Sequence, residues 1–298
     1  MASPQPLLYP LSILNVLSIQ SWVAYGHVGN AAAMFPLQRL GAEVWAIHTV
    51  QFSNHPGYGA WRGRVFESAD IADLVDGIAA RGVLPRCDAV LSGYLGDPAT
   101  GTAILDCVSR VRDANGRALY CCDPVMGDAG ALYVRPGIPE LLAERALPQA
   151  DILTPNQFEL ERLTGAPCGR LADVCLAVNA VRARMAQAGP RAVLVTSLHT
   201  AETPADALDM LAADGAGLSL LRLPKLPIAP SGAGDAIAAL FLFHFLRTRS
   251  AKSAMEAAGS ALHGVLRRTL ADGAREMALI AAQDEIVNPS IRFRAQPA

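Results

Sequence analysis

The stretch DAVLSGYLGDPATGTAILDCVSRVRDANGRALYCCD, residues 88–123, decides the fold. Asp88–Leu91 is a short apolar run, Pro98–Ala114 spaces its apolar residues like a helix, and Ala118–Cys122 is strand-like again. A strand, a helix and a strand of these lengths make a βαβ unit, and such a crossover joins parallel neighbours. The alternation extends both ways. Upstream stand a strand at Ile13–Gln20, a helix at Ala31–Leu40 with Pro36 as a kink or restart, a strand at Ala42–Val50 and a helix at Ser68–Ala80. Downstream follow a helix at Pro139–Leu147, a strand at Asp151–Leu153, helices at Gln157–Leu163 and Val174–Gln187, and a strand at Ala192–Val195. The pattern predicts an α/β protein in three layers, α/β/α, with a central, mostly parallel sheet. The runs Ala207–Ala212 and Leu218–Leu223 predict an edge hairpin, and helices are expected at Ala236–Leu246 and Ala251–Leu270. No repeat or linker interrupts the chain. A single domain over residues 1–298 is expected, with 1–12 a loose lead-in.

Composition narrows the function. The 298 residues are 52% hydrophobic and 17% charged, with a formal net charge of −2, which argues for a compact globule. The basic residues are scattered, so nucleic acid is not the expected partner. The N-terminus lacks the cationic start of a secretory signal, and the apolar run Ile237–Leu246 is too short to cross a bilayer. A cytoplasmic protein with no membrane partner is expected. The six cysteines (87, 107, 121, 122, 168 and 175) form no C-x-x-C pair and no zinc spacing, and read as reduced core thiols.

Ser231-Gly232-Ala233-Gly234-Asp235 stands between the turn Leu226–Pro230 and an apolar helix. Glycines let the backbone bend and approach a ligand, the free N–H groups of a helix start favour an anion, and Asp235 adds a carboxylate able to take a proton from a hydroxyl. Alone, the four residues from Gly232 read equally as a turn and cap. In an open parallel sheet ligands bind beyond the carboxyl ends of the strands, and the loops there are rich in polar and aromatic residues. They are Ser21–Asn30, Gln51–Gly59, Ser92–Asp97, Asp123–Asp128, Thr154–Glu159 and Thr196-Ser197. No G-x-G-x-x-G follows the first strand, which excludes a nicotinamide-dependent oxidoreductase.

Several of these loops, Tyr25-Gly26-His27-Val28-Gly29-Asn30, Gln51-Phe52-Ser53-Asn54-His55, Asp123-Pro124-Val125-Met126-Gly127-Asp128, Thr154-Pro155-Asn156-Gln157-Phe158-Glu159 and Gly232-Ala233-Gly234-Asp235, together resemble those of pyridoxal kinases of the ribokinase-like superfamily. The resemblance runs from about Ile13 to Phe293. It implies ATP-dependent phosphorylation of the 5′-hydroxymethyl group of pyridoxal, with pyridoxine and pyridoxamine as related acceptors. Asp235 would be the base, and the N–H groups of Gly232, Ala233, Gly234 and Asp235 would form the anion hole. ATP would meet Asp123, Thr154, Asn156, Glu159, Thr196, Ser197, Ser231, Gly232 and Gly234. Mg²⁺ is implied near Asp123, Asp128 and Glu159, and a monovalent cation such as K⁺ is compatible. The acceptor would meet Ser21, Val50, Phe52, His55, Pro56, Gly57, Tyr94 and Asp235. The family also implies a homodimer.

Each residue has a plainer reading too: Asp123-Pro124 is a common strand exit, Asn156 and Glu159 have helix-cap spacing, and Phe52 and Tyr94 suit a core. Two departures stand out. Pro56 replaces the usual threonine, and Thr196-Ser197 stands where some bacterial members carry Lys-His. Hydroxymethylpyrimidine kinase is the rival activity, and a pyridoxal-binding or pyridoxal-phosphate-binding carrier with weak catalysis is the rival outside efficient enzymes.

Overall fold

The computed structural model describes residues 13–128 and 130–298; the lead-in expected over 1–12 lies outside them. In chain order the first half comprises β1 (Asn15–Val23), α1 (Asn30–Arg39), β2 (Glu43–Phe52), β3 (Gly63–Val65), α2 (Ser68–Ala79), β4 (Ala89–Ser92), α3 (Pro98–Ala114), β5 (Leu119–Cys122), β6 (Gly127–Asp128) and β7 (Ala131–Leu132). The second half comprises α4 (Ile138–Leu141), β8 (Ile152–Leu153), α5 (Gln157–Thr164), α6 (Leu171–Arg184), β9 (Ala192–Leu198), β10 (Ala207–Asp214), β11 (Gly217–Pro224), α7 (Ala233–Thr248), α8 (Ala251–Ala271), α9 (Gln283–Val287) and β12 (Gln296–Pro297).

The main sheet has the order β12-β11-β10-β9-β8-β5-β4-β1-β2-β3. From β9 to β2 every pairing is parallel, while β10, β11 and β12 on one side and β3 on the other add antiparallel edges. The chain winds from β1 to β2 on one side and then crosses to β4 on the other, so the winding reverses beside β1. Such a switch point leaves a crevice at the carboxyl ends.

Both faces are covered, which is why the strands read as continuous apolar runs rather than alternating ones. Val16, Ala89, Leu91, Cys121, Ile152 and Leu194 pack toward α1, α7 and α8. Their neighbours Leu17, Val90, Cys122, Leu153 and Val193 pack toward α2, α3, α5 and α6. Cys121 and Cys122 point to opposite faces as adjacent strand residues must, and all six cysteines are free thiols. Helix α7 is buried on nearly every side from Ala236 to Leu246, between the sheet, α1 and α8. That explains an apolar run with no polar face.

Several expected boundaries move. β1 ends at Val23 rather than Gln20, and α1 runs without a break through Pro36. The helix expected at Val174–Gln187 is α6, three residues earlier. Asp173 accepts the N–H of Arg170 just before the helix, whose own first N–H, of Leu171, goes to Glu202 from a distant loop (3.0 Å), a start signal no local window contains. The helix expected at Pro139–Leu147 is α4 followed by a wider π turn over Leu142–Ala146 and a tight turn over Leu147–Gln149. The short β3, β6, β7, β12 and α9 have no counterpart in the sequence reading, being too brief to carry a period. Among the described residues no helix is long and apolar enough to cross a membrane.

Candidate active site

The loops after β1, β2, β4, β5, β8 and β9 converge with the start of α7 on a cleft of about 1110 Å³, and every site residue expected from the sequence lines it. At its centre the chain enters α7 through Gly232, whose φ of 87° is a left-handed value that favours glycine. A Cβ there would collide with the carbonyl oxygen of His27. Gly234 differs: its φ is ordinary, and a Cβ would meet nothing within 4 Å. The space in front of Gly234 belongs to the cleft, beside N–H groups at a helix start.

Asp235, in the first turn of α7, accepts the Gly29 N–H on Oδ2 at 2.8 Å. Gly29 has φ 55°, and a Cβ on it would strike the Ser21 carbonyl, so glycine at 29 is what lets its N–H reach the carboxylate. Desolvation raises the Asp235 carboxyl to about 6, against the pull of the two backbone N–H groups it accepts.

Asp123, buried just past β5, accepts the Thr154 hydroxyl at 3.0 Å. Burial, Glu159 and Asp235 together push its carboxyl well above the ordinary range. Glu159 is buried as well, accepting the Met126 N–H and the Asn156 N–H, each at 2.9 Å, while Asn156 accepts the Glu159 N–H and donates to the Gly127 carbonyl. Burial raises Glu159 to about 8 in spite of these bonds. The helix-cap reading of Asn156 and Glu159 is therefore correct, and the cap also anchors the loop after β5.

Among the described residues no ion pair compensates Asp123, Glu159 or Asp235. The three carboxylates assigned to a metal do not converge: Asp128 is exposed on β6, and no group of three His, Cys, Asp or Glu side chains among the described residues forms a metal cage. Uncompensated buried carboxylates with oxygen-only donors suit a hard cation that arrives with its own water and phosphate ligands.

Toward one end, Val23, Val28, Val50 and Phe52 form a small apolar cluster against which Tyr94 packs, with the buried Ser21 beside it. Trp61 lies over Phe52 at 4.1 Å between ring centroids. His55 caps the turn Pro56–Tyr58 by accepting the Gly57 N–H, and its Nδ1 lies 3.2 Å from Ser231 Oγ. Pro56 occupies the first position of that turn, where a backbone N–H has no partner to lose. Ser231 thus touches the loop after β2 as well as the anion loop.

Toward the other end, Thr196 is buried and bridges to Asn156, and Ser197 is exposed with φ 55°. Here the sequence reading missed the wall. Leu208, Met210, Leu223, Leu262 and Leu266 line it, with the segment Pro224–Pro230 along the edge. These side chains hang from β10, β11 and α8 and carry no motif. Also missed was Glu276, whose carboxylate accepts both the Tyr58 hydroxyl and the His27 N–H.

A mostly parallel sheet with a glycine-formed helix start, an adjacent carboxylate and a cleft that runs past both has the make-up of a phosphotransferase of the ribokinase-like α/β fold. Residues 85–279 match the phosphomethylpyrimidine kinase family. A pyridoxal kinase, PdxY, of Granulibacter bethesdensis is 61% identical over 95% of this chain and 99% of its own, and one of Deinococcus radiodurans is 58% identical over 95% and 96%. The pyridoxal kinase of Leishmania donovani in complex with ADP and pyridoxamine superposes with a TM-score of 0.86 at 30% identity, covering 95% of this chain and 99% of that one. The chain belongs to the pyridoxal kinase family, within that broader kinase family, and is an enzyme.

Proposed function

We propose that the protein transfers the γ-phosphoryl group of ATP to the 5′-hydroxymethyl group of pyridoxal, within one catalytic domain. The observation that carries this reading is the pairing of Asp235 with the open backbone at Gly234. A carboxylate raised to about 6 is ionised at neutral pH yet basic enough to accept a proton from an alcohol as it attacks. The adjacent N–H groups of Gly232 to Asp235 would take the charge that gathers on the transferring phosphoryl. The pyridine ring would lie among Ser21, Val50, Phe52 and Tyr94 under the turn of His55, Pro56 and Gly57.

The nucleotide would run past Thr154, Asn156, Thr196, Ser197 and Ser231 to the apolar wall. Mg²⁺ would be held by Asp123 and, through water, by Glu159, with Asp128 at the rim; when bound it neutralises phosphate charge. A cytoplasmic homodimer belongs to the same reading. A coupled ADP-release assay tests it. Turnover is expected with pyridoxal, pyridoxine or pyridoxamine and at most slow turnover with hydroxymethylpyrimidine; the reverse preference, or no turnover with any B6 vitamer, rejects it.

A further inference from the structure

The connector between α8 and α9 carries three consecutive residues that between them touch three loops of the cleft. Arg275 donates to the Gly57 carbonyl at 3.0 Å, and its guanidinium lies 3.6 Å from the Tyr58 ring centroid. Glu276 accepts the Tyr58 hydroxyl on Oε1 at 2.5 Å and the His27 N–H on Oε2 at 3.0 Å. Met277 is buried, with its methyl carbon 3.1 Å from where a Cβ would stand on Gly232.

Those loops hold the groups that react. Two residues beyond His27, the Gly29 N–H holds the Asp235 carboxylate, and the His27 carbonyl packs against Gly232. Tyr58 ends the turn that His55 caps, and His55 reaches Ser231. Glu276 therefore joins the acceptor loop to the loop that sets Asp235. Its place needs a side chain with two acceptors and a neighbour with none: a Cβ on Gly26 would stand 2.5 Å from Oε2. Hydrogen bonds to a charged group are each stronger than neutral ones, so this joint resists loop movement in both directions.

We propose that Glu276 is a positioning residue for phosphoryl transfer, locking the turn at 55–58 to the loop at 26–29 and so holding Asp235 against the acceptor alcohol. The proposal rests on the reading of Asp235 as the group facing that alcohol. Glu276 itself touches no reacting atom. A residue that served stability alone would change the melting temperature and leave the kinetics of the folded enzyme untouched. A positioning residue lowers kcat and weakens the acceptor, and leaves the KM for ATP alone, because the nucleotide wall is built on other elements.

The test is steady-state kinetics with pyridoxal and ATP on the full chain and on Glu276→Ala, Glu276→Gln, Tyr58→Phe and the double variant Glu276→Ala/Tyr58→Phe. Glu276→Ala is expected to lower kcat/KM for pyridoxal about ten- to a hundredfold, the scale of a small misplacement of reacting groups, with the KM for ATP within about twofold. Glu276→Gln keeps an acceptor for His27 and a donor for the Tyr58 oxygen, and is expected to restore most of the rate. Tyr58→Phe should lose less than Glu276→Ala, and the double variant should be no worse than Glu276→Ala, since the two side chains act through one contact.

Wild-type kcat/KM in Glu276→Ala, a loss confined to the KM for ATP, or losses that multiply in the double variant would each overturn the proposal. Should Glu276→Ala fail to fold, unchanged kcat/KM in Tyr58→Phe overturns it equally. Absence of turnover in the unaltered protein with every vitamer strikes instead at the reading of the acceptor.

Discussion

The end of the cleft proposed for the acceptor and the end proposed for the nucleotide are built on different principles. The acceptor end is loops tied to loops: Gly29 to Asp235, His55 to Ser231, Tyr58 and His27 to Glu276, with partners more than 170 residues apart in sequence. The nucleotide end is side chains of regular elements, Leu208 and Met210 on β10, Leu223 on β11 and Leu262 and Leu266 on α8. The difference follows from what each end must do. A reacting hydroxyl has to be aimed, and aim comes from directional hydrogen bonds whose geometry a neighbouring loop enforces. A flat aromatic base needs burial more than aim, and apolar contact is non-directional. Between the ends lie Asp123, Glu159 and Asp235, buried carboxyl groups whose raised proton affinity suits ionisation against a cation arriving with a polyphosphate.

The sharpest way to break this comparison is Asp235→Asn, which leaves both walls intact. Turnover is expected to fall about a thousandfold or more, on the scale of a lost general base, while equilibrium binding of pyridoxal and ATP changes little. In the unaltered enzyme kcat/KM should decline below about pH 6, where Asp235 takes up its proton. The sign for stability runs the other way. The folded chain binds this proton more tightly than the unfolded chain, whose value is near 3.8, so this group's contribution to stability is fully present below that and is lost as pH rises through about 6. Asp235→Asn should therefore melt above the wild type at pH 8, and the gap should close toward pH 4.

The two glycines of the anion loop separate folding from catalysis. Gly232→Ala meets the His27 carbonyl and a left-handed φ, and little soluble protein is expected. Gly234→Ala meets no protein atom, so its melting temperature should match wild type, while kcat/KM for ATP falls about ten- to a hundredfold as the methyl occupies anion space. A normal rate in Gly234→Ala would place the phosphoryl group elsewhere.

Leu266→Ala probes the apolar wall. It is only partly buried, and the KM for ATP should rise about threefold to tenfold, as the loss of about 1 kcal/mol of apolar contact requires, with the KM for pyridoxal unchanged. The smallest effect is expected from Pro56→Thr. Pro56 is exposed at the first position of its turn, so vitamer KM values should stay within about threefold; a larger shift would give residue 56 a direct part in choosing the vitamer.

What was legible in advance divides along the same line. The βαβ unit over residues 88–123 and the short loops after the strands announce themselves because a parallel sheet buried on both faces needs continuous apolar runs, and because each loop is a few contiguous residues. Gly232, Gly234 and Asp235 are readable for the same reason, since their spacing is their geometry. Met210, Leu223 and Leu262 read only as core, for nothing local tells a core leucine from one that lines a cleft. Glu276 sits in a connector with no period and no motif, and its two partners come from the other end of the chain.

The sequence by itself therefore determined the layers, the order of strands along the chain, the glycine turn that opens α7 and the carboxylate beside it, because each follows from residues adjacent to one another. Only the tertiary structure decided that Gly29 holds Asp235, that Asp123, Glu159 and Asp235 share one buried field, and that Arg275 to Met277 brace three loops. Those relations depend on burial and on contacts between distant segments, and both come into being only when the sheet closes.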